Sequence, residues 1–80
     1  MKIGNVSFSG SDMLVRFDTG ETIAVPLSFF PELAAAAPEA RERFVLIGSG
    51  IGVTWDALDI DISVENILNA HSRSRLAAYA

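Results

Sequence analysis

Residues whose chemistry could support a reaction or a contact are concentrated in one stretch of this chain, Trp55-Asp56-Ala57-Leu58-Asp59-Ile60-Asp61-Ile62-Ser63, continued by Glu65. Asp56, Asp59, Asp61 and Glu65 form its densest acidic run. Oxygen-rich clusters suit hard cations, and paired carboxylates can divide the roles of acid and base. The spacing fits neither use well. Counted from Asp59, a calcium-binding loop requires glycine at its sixth position and glutamate at its twelfth, where this chain has Val64 and Ala70. Carboxylates placed ahead of a helix also favour its positive N-terminal end, by about 0.3–1 kcal/mol each. The expectation is that these four side chains cap and solvate, with no metal and no cofactor.

The remaining reactive groups are sparse. His71 is the only histidine, and no serine sits in a Gly-x-Ser-x-Gly elbow, so a Ser-His-Asp arrangement has no support and a surface histidine is expected. Ser9-Gly10-Ser11 and Gly48-Ser49-Gly50-Ile51-Gly52 match neither a phosphate loop followed by lysine nor a Gly-x-Gly-x-x-Gly turn, and both read as turns. Trp55 carries a large apolar area and one N–H donor, and in a domain this small it is expected to be the principal packing residue. Arg73 and Arg75, with Leu76 and Tyr79, make one locally basic, amphipathic segment. No residue is assigned a catalytic role, and an enzyme is not expected.

Composition narrows the field further. Eighty residues make a single domain with one core, and half of them are hydrophobic at a mean hydropathy of +0.35, which excludes a disordered chain. No cysteine is present, which removes disulfides, thiolate catalysis and cysteine-ligated metal sites. No apolar run is long enough to cross a bilayer, and the N-terminus lacks the apolar stretch of a signal peptide, so a cytoplasmic protein without a membrane partner is expected. A net charge of −4 and a pI near 4.6 oppose direct nucleic-acid binding, which depends on clustered Lys and Arg. A protein with a basic surface is the more natural partner.

The elements that must position these residues follow from periodicity. Lys2 to Leu27 reads as three short strands, with Val6 and Phe8 sharing a face of the first, Met13, Val15 and Phe17 of the second, and Ile23 and Val25 of the third. Ser9-Gly10-Ser11-Asp12 and Asp18-Thr19-Gly20 are the connecting turns, the latter a type I turn closed by a left-handed glycine. Pro31 and Pro38 each suit a first helical position and predict one helix broken in two, pinned to the sheet by Phe29, Phe30 and Leu33. Phe44-Val45-Leu46-Ile47 and Ile51-Gly52-Val53-Thr54-Trp55 form a second hairpin, with Ile51, Val53 and Trp55 on one face. Gly52 marks a bulge or a close backbone approach. Ser63 is placed as the N-cap of a C-terminal helix, along which Val64, Leu68, Leu76 and Tyr79 make a stripe interrupted by Ser72. The expected fold is a small α+β domain over residues 1–80, with an antiparallel sheet in β-β-β-α-β-β-α order, a core near 6–70 and a helical tail at 71–80.

Several motifs together carry a resemblance: Val15-Arg16-Phe17-Asp18-Thr19-Gly20 followed by Val25-Pro26-Leu27, then Phe30-Pro31-Glu32-Leu33, and above all Gly52-Val53-Thr54-Trp55 through Leu58-Asp59-Ile60-Asp61-Ile62-Ser63. From about Val6 to Ala70 the chain resembles the small bacterial proteins of the domain of unknown function 2442 family, whose fold is similar to the N-terminal domain of a Nitrosomonas helix-turn-helix protein. Where that family usually has proline after the tryptophan and an acidic residue between the two aspartates, this chain has Asp56 and Ile60. The resemblance implies a compact α+β domain and, from the neighbours of such proteins, a role in arrangements like toxin–antitoxin pairs. It implies no catalytic residue.

These readings converge on a non-catalytic protein-binding module, antitoxin-like, with Asp56, Asp59, Asp61 and Glu65 facing a basic partner and Leu76 and Tyr79 adding an apolar anchor or a homodimer contact. The alternative is an acidic, phage-type inhibitor, anti-CRISPR-like, whose carboxylates stand where phosphates would lie on a nucleic-acid-binding protein.

Overall fold

Alternating apolar residues build the first half of the chain into a meander. In the computed structural model, which describes residues 1–78, β1 (Ile3–Ser9), β2 (Asp12–Phe17) and β3 (Thr22–Pro26) pair antiparallel in that order. Met13, Val15, Phe17, Ile23 and Val25 all point into the core, as their period of two requires. Between Ile3 and Asn5 the register slips, with Ile3 opposite Phe17 and Asn5 opposite Arg16. Gly4 is the extra residue of this bulge, and it lets Ile3 and Val6, three positions apart, both turn inward.

The turns follow local chemistry. Ser9 pairs with Asp12 around Gly10 at φ 59°, and Gly20 at φ 90° closes a three-residue loop in which its N–H reaches the Phe17 carbonyl at 2.9 Å. After β3 a short 3-10 turn at Leu27–Phe29 leads into α1 (Pro31–Ala34) and α2 (Pro38–Arg41), each with proline in its first turn. Leu33 is fully buried and Phe30 partly so, but Phe29 stands exposed and does not pin this segment.

The second half forms a separate three-stranded sheet. β4 (Val45–Ile47), β5 (Gly52–Trp55) and β6 (Ile60–Ser63) pair antiparallel in sequence order. β6 lies within the acidic run, outside the two hairpins' worth of strands that the residue pattern predicts, so the observed order has a third strand before the last helix and two sheets in place of one. Ile60 and Ile62 alternate with Asp61 and Ser63, and the apolar pair is sufficient to hold the strand against Trp55 and Val53. Ile51 is a second correction: it lies before the strand and is 60 % exposed, while Val53 and Trp55 are buried.

Two close backbone approaches shape the domain, one between the sheets and one within the second sheet. The Ile3 N–H donates to the Gly50 carbonyl at 2.8 Å, which ties the edge of the first sheet to the turn of the second. A side chain at Gly52 would meet the Ile62 carbonyl at 3.0 Å, so this glycine serves close approach and not a bulge.

Ser63 caps α3 (Val64–Ala78) as expected: Asn66 N–H donates to Ser63 Oγ at 3.1 Å, and Ser63 N–H donates back to Asn66 Oδ1 at 3.3 Å. The inward stripe of α3 differs from the expected one. Ile67 and Ala70 are buried with Val64, His71 and Ser74 partly covered, whereas Leu68 and Leu76 face outward and Tyr79 lies outside the described residues. His71 Nδ1–H donates to the Ala24 carbonyl at 3.1 Å, fastening the helix to β3. The histidine thus has a structural contact instead of a purely solvent setting. Among the described residues, no helix is long and apolar enough to cross a membrane.

Candidate functional surface

Alternation along β4 and β6 decides what the second sheet shows to solvent. Leu46, Val53, Ile60 and Ile62 pack toward the core, so Val45, Ile47, Gly52, Thr54, Asp61 and Ser63 belong to the opposite face. On that face Val45 is 55 % exposed and Ile47 38 %, and Ile51 stands beside them at 60 %. These apolar residues are not scattered. Ile47 and Ile51 line one open groove of about 310 Å³ together with Gly52, Asp61, Ser63 and Asn66. A side-chain carbon built on Gly52 would lie 3.4 Å from the Ile47 Cδ1, so the missing side chain is what leaves room beside the isoleucine.

The four carboxylates take different stations. Asp56 opens a 3-10 turn (Asp56–Leu58), Asp59 sits in the β5–β6 connection with a left-handed backbone at φ 55°, Asp61 is on the outer face of β6, and Glu65 lies in the first turn of α3. All four are exposed, and of the four only Asp61 lines the groove. Only Glu65 occupies the first turn of the helix, so the helix-capping expectation applies to one carboxylate of the four. Among the described residues no group of three His, Asp or Glu side chains is placed to hold a metal ion.

Leu76 is 69 % exposed on α3. The structure does not describe Tyr79, so the expected pairing of the two along one stripe lies outside the described residues. Ile47 and Ile51, which line the groove, and Val45 beside them are not among the contact residues that the sequence points to. The available signal was the unbroken apolar run through β4, more apolar residues than one face of a strand can bury.

Comparison with known proteins adds the family and the fold. The family described as "Protein of unknown function (DUF2442)" matches residues 3–72. No curated protein matches the chain. A crystal structure of a protein of unknown function from Rhodospirillum rubrum is similar at a TM-score of 0.73 and 21% identity, covering 85% of this chain and 84% of that one. At that identity the likeness concerns the fold, and it agrees with a small α+β domain.

Proposed function

This chain belongs to the DUF2442 family, and we propose that it is a non-catalytic protein-binding module whose contact surface is the outer face of the β4–β5–β6 sheet. One observation carries the reading: Val45, Ile47 and Ile51 stay exposed on a folded domain, in and beside a groove rimmed by Asp61. Apolar residues gathered at one place, next to charge, are what partner surfaces have in common. The carboxylates Asp56, Asp59, Asp61 and Glu65, on a chain of net charge −4, favour a partner whose basic residues flank an apolar segment.

The finer form of the proposal is the antitoxin-like member of a two-component pair, acting in the cytoplasm. Here the isoleucines anchor and the carboxylates steer association. Leu76 and Tyr79 at the C-terminal end supply a second apolar contact, either to that partner or to another copy of this chain.

Capture of the partner from the native host, followed by binding measurements across a salt series, tests this reading. The expected partner is basic, and its association slows as salt rises. Ile47→Ser with Ile51→Ser is expected to speed dissociation, and neutralising the four carboxylates to slow association. An acidic partner, or binding indifferent to both sets of changes, overturns the proposal. Capture of a nucleic-acid-binding protein that loses its nucleic acid on binding would instead support the phage-type inhibitor.

A further inference from the structure

The register of the second sheet sets out the floor of the groove at Ile47 and Ile51. On the outer face Gly52 stands between Ile47 of β4 and Ser63 of β6, and the next row holds Val45, Thr54 and Asp61. The row through Gly52 is therefore low at its centre. Ile47 and Ile51, 38 % and 60 % exposed, border this low point, and Asp61 is the diagonal cross-strand neighbour of Gly52, about 7–8 Å away.

The polar groups around the groove are unequally committed. Ser63 Oγ–H donates to Asn66 Oδ1 at 2.8 Å, and Ser63 Oγ accepts the Asn66 N–H at 3.1 Å, so these atoms are spent on the helix cap. Thr54 Oγ1–H donates to the Ile60 carbonyl at 3.1 Å. Asp61 is exposed, and among the described residues it is the one charged group lining the groove, with no lysine or arginine beside it there. An apolar channel that ends at a lone carboxylate is the complement of a long basic side chain, which lays its methylene stem on apolar surface and carries its charge out to water.

We propose that this groove takes a single arginine or lysine of the partner, its stem over Gly52 against Ile47 and Ile51 and its head at the Asp61 carboxylate, an inference that rests on the outer face of this sheet being the contact surface. Gly52 is where the stem fits. A β-carbon there would meet the Ile62 carbonyl at 3.0 Å and the Ile47 Cδ1 at 3.4 Å, so the fold admits no side chain of its own at that point. A stem of three or four methylenes above Gly52 carries its charge to the diagonal aspartate, and a shorter one does not. Because Asp61 lies at the exposed rim, the ion pair mainly selects the residue, while contact of the stem with the isoleucines holds it. A neutral side chain of the same length gains nothing from Asp61, and an acidic one is repelled.

The test follows the Gly52 and Asp61 amides and the Ile47 and Ile51 methyls of the whole chain by NMR during titration with blocked tripeptides, alanine on either side of arginine, lysine, norleucine or 2,3-diaminopropionate. The arginine or lysine peptide is expected to saturate these signals and to bind about two- to fivefold tighter than the norleucine peptide, the range that an exposed ion pair supports. The diaminopropionate peptide, with the charge but not the stem, should not saturate them. Tighter binding by one of the two long cations assigns the side chain. Asp61→Asn should remove the advantage over norleucine, Ile51→Ser should weaken the arginine, lysine and norleucine peptides alike, and Glu65→Gln should leave the advantage in place. The proposal is overturned if norleucine binds as tightly as both cations, if the advantage survives Asp61→Asn, or if no peptide saturates. With the captured partner, binding weakened by Ile47→Ser and Ile51→Ser but indifferent to Asp61→Asn overturns the basic anchor and leaves the contact surface standing, whereas indifference to all three overturns both.

Discussion

The indole N–H of Trp55 donates to the backbone carbonyl of Arg41 at 2.8 Å, bridging 14 residues between the end of β5 and the end of α2. Trp55 is 1 % exposed and is among the largest fully buried side chains. It therefore contributes both apolar area and a hydrogen bond that ties the second short helix to the second sheet. Trp55→Ala is expected to destabilise by about 3–5 kcal/mol through the cavity it leaves. Trp55→Phe keeps most of the apolar area and loses the donor, so a cost nearer 1–3 kcal/mol is expected, including the carbonyl left without a partner. Urea unfolding of the two variants separates the terms, and an alanine variant with the wild-type midpoint would contradict this account.

Gly50 and Gly20 share a positive φ, at 112° and 90°, but differ in surroundings. A β-carbon at Gly50 would lie 2.5 Å from the Ile3 carbonyl oxygen and 2.9 Å from its nitrogen, whereas at Gly20 it would meet nothing within 4 Å. Gly20→Ala should cost only backbone strain, about 1–2 kcal/mol, while Gly50→Ala adds a steric clash and should exceed about 3 kcal/mol. Thermal unfolding checks the order. Equal losses would mean that the seam between the two sheets is less constrained than its geometry requires.

Asp59 holds a left-handed backbone at φ 55° as the residue ending a 3-10 turn. Asp and Asn tolerate this region, Gly prefers it, and Ala does not. Asp59→Asn and Asp59→Gly should leave stability within about 1 kcal/mol, with Asp59→Ala the most costly of the three. Mg²⁺, Ca²⁺ or Zn²⁺ should not raise the melting temperature of the native chain, since a specific ion at a hundred times its Kd would stabilise by about 2.7 kcal/mol. A saturable rise lost in Asp59→Asn would show that the acidic run binds metal.

Two polar contacts position α3, the Ser63 cap at its start and the His71 contact to β3 farther along. Ser63→Ala removes the N-cap and should cost about 0.5–2 kcal/mol. His71→Ala removes the contact to Ala24 and should cost about 1 kcal/mol, with the change confined to α3 and β3. Amide hydrogen exchange would locate both effects. Faster exchange restricted to α3 is expected, and uniform acceleration across both sheets would show that the helix does not open separately.

Local physics made much of this protein readable from its residues. Met13, Val15 and Phe17 declared a buried strand face by period two, Gly20 a left-handed turn, Pro31 and Pro38 two helix starts, and Ser63 an N-cap; each depends on neighbours within a few positions, and the structure has each as read. Four features depended on distant parts of the chain. Ile60-Asp61-Ile62 is too short to announce a strand, and it became β6 because Trp55 and Val53 offered a ladder to pair with. Ile51 alternates correctly with Val53 and Trp55, yet the turn placed it outside the strand and in solvent. The inward stripe of α3 includes His71 and Ser74, polar residues that hydropathy assigns outside; for His71, a carbonyl on β3 supplies the partner that makes partial burial tolerable. The exposed face of Val45 and Ile47 was likewise decided by tertiary packing, because one sequence pattern can say that a residue is apolar but not whether the rest of the chain arrives to cover it.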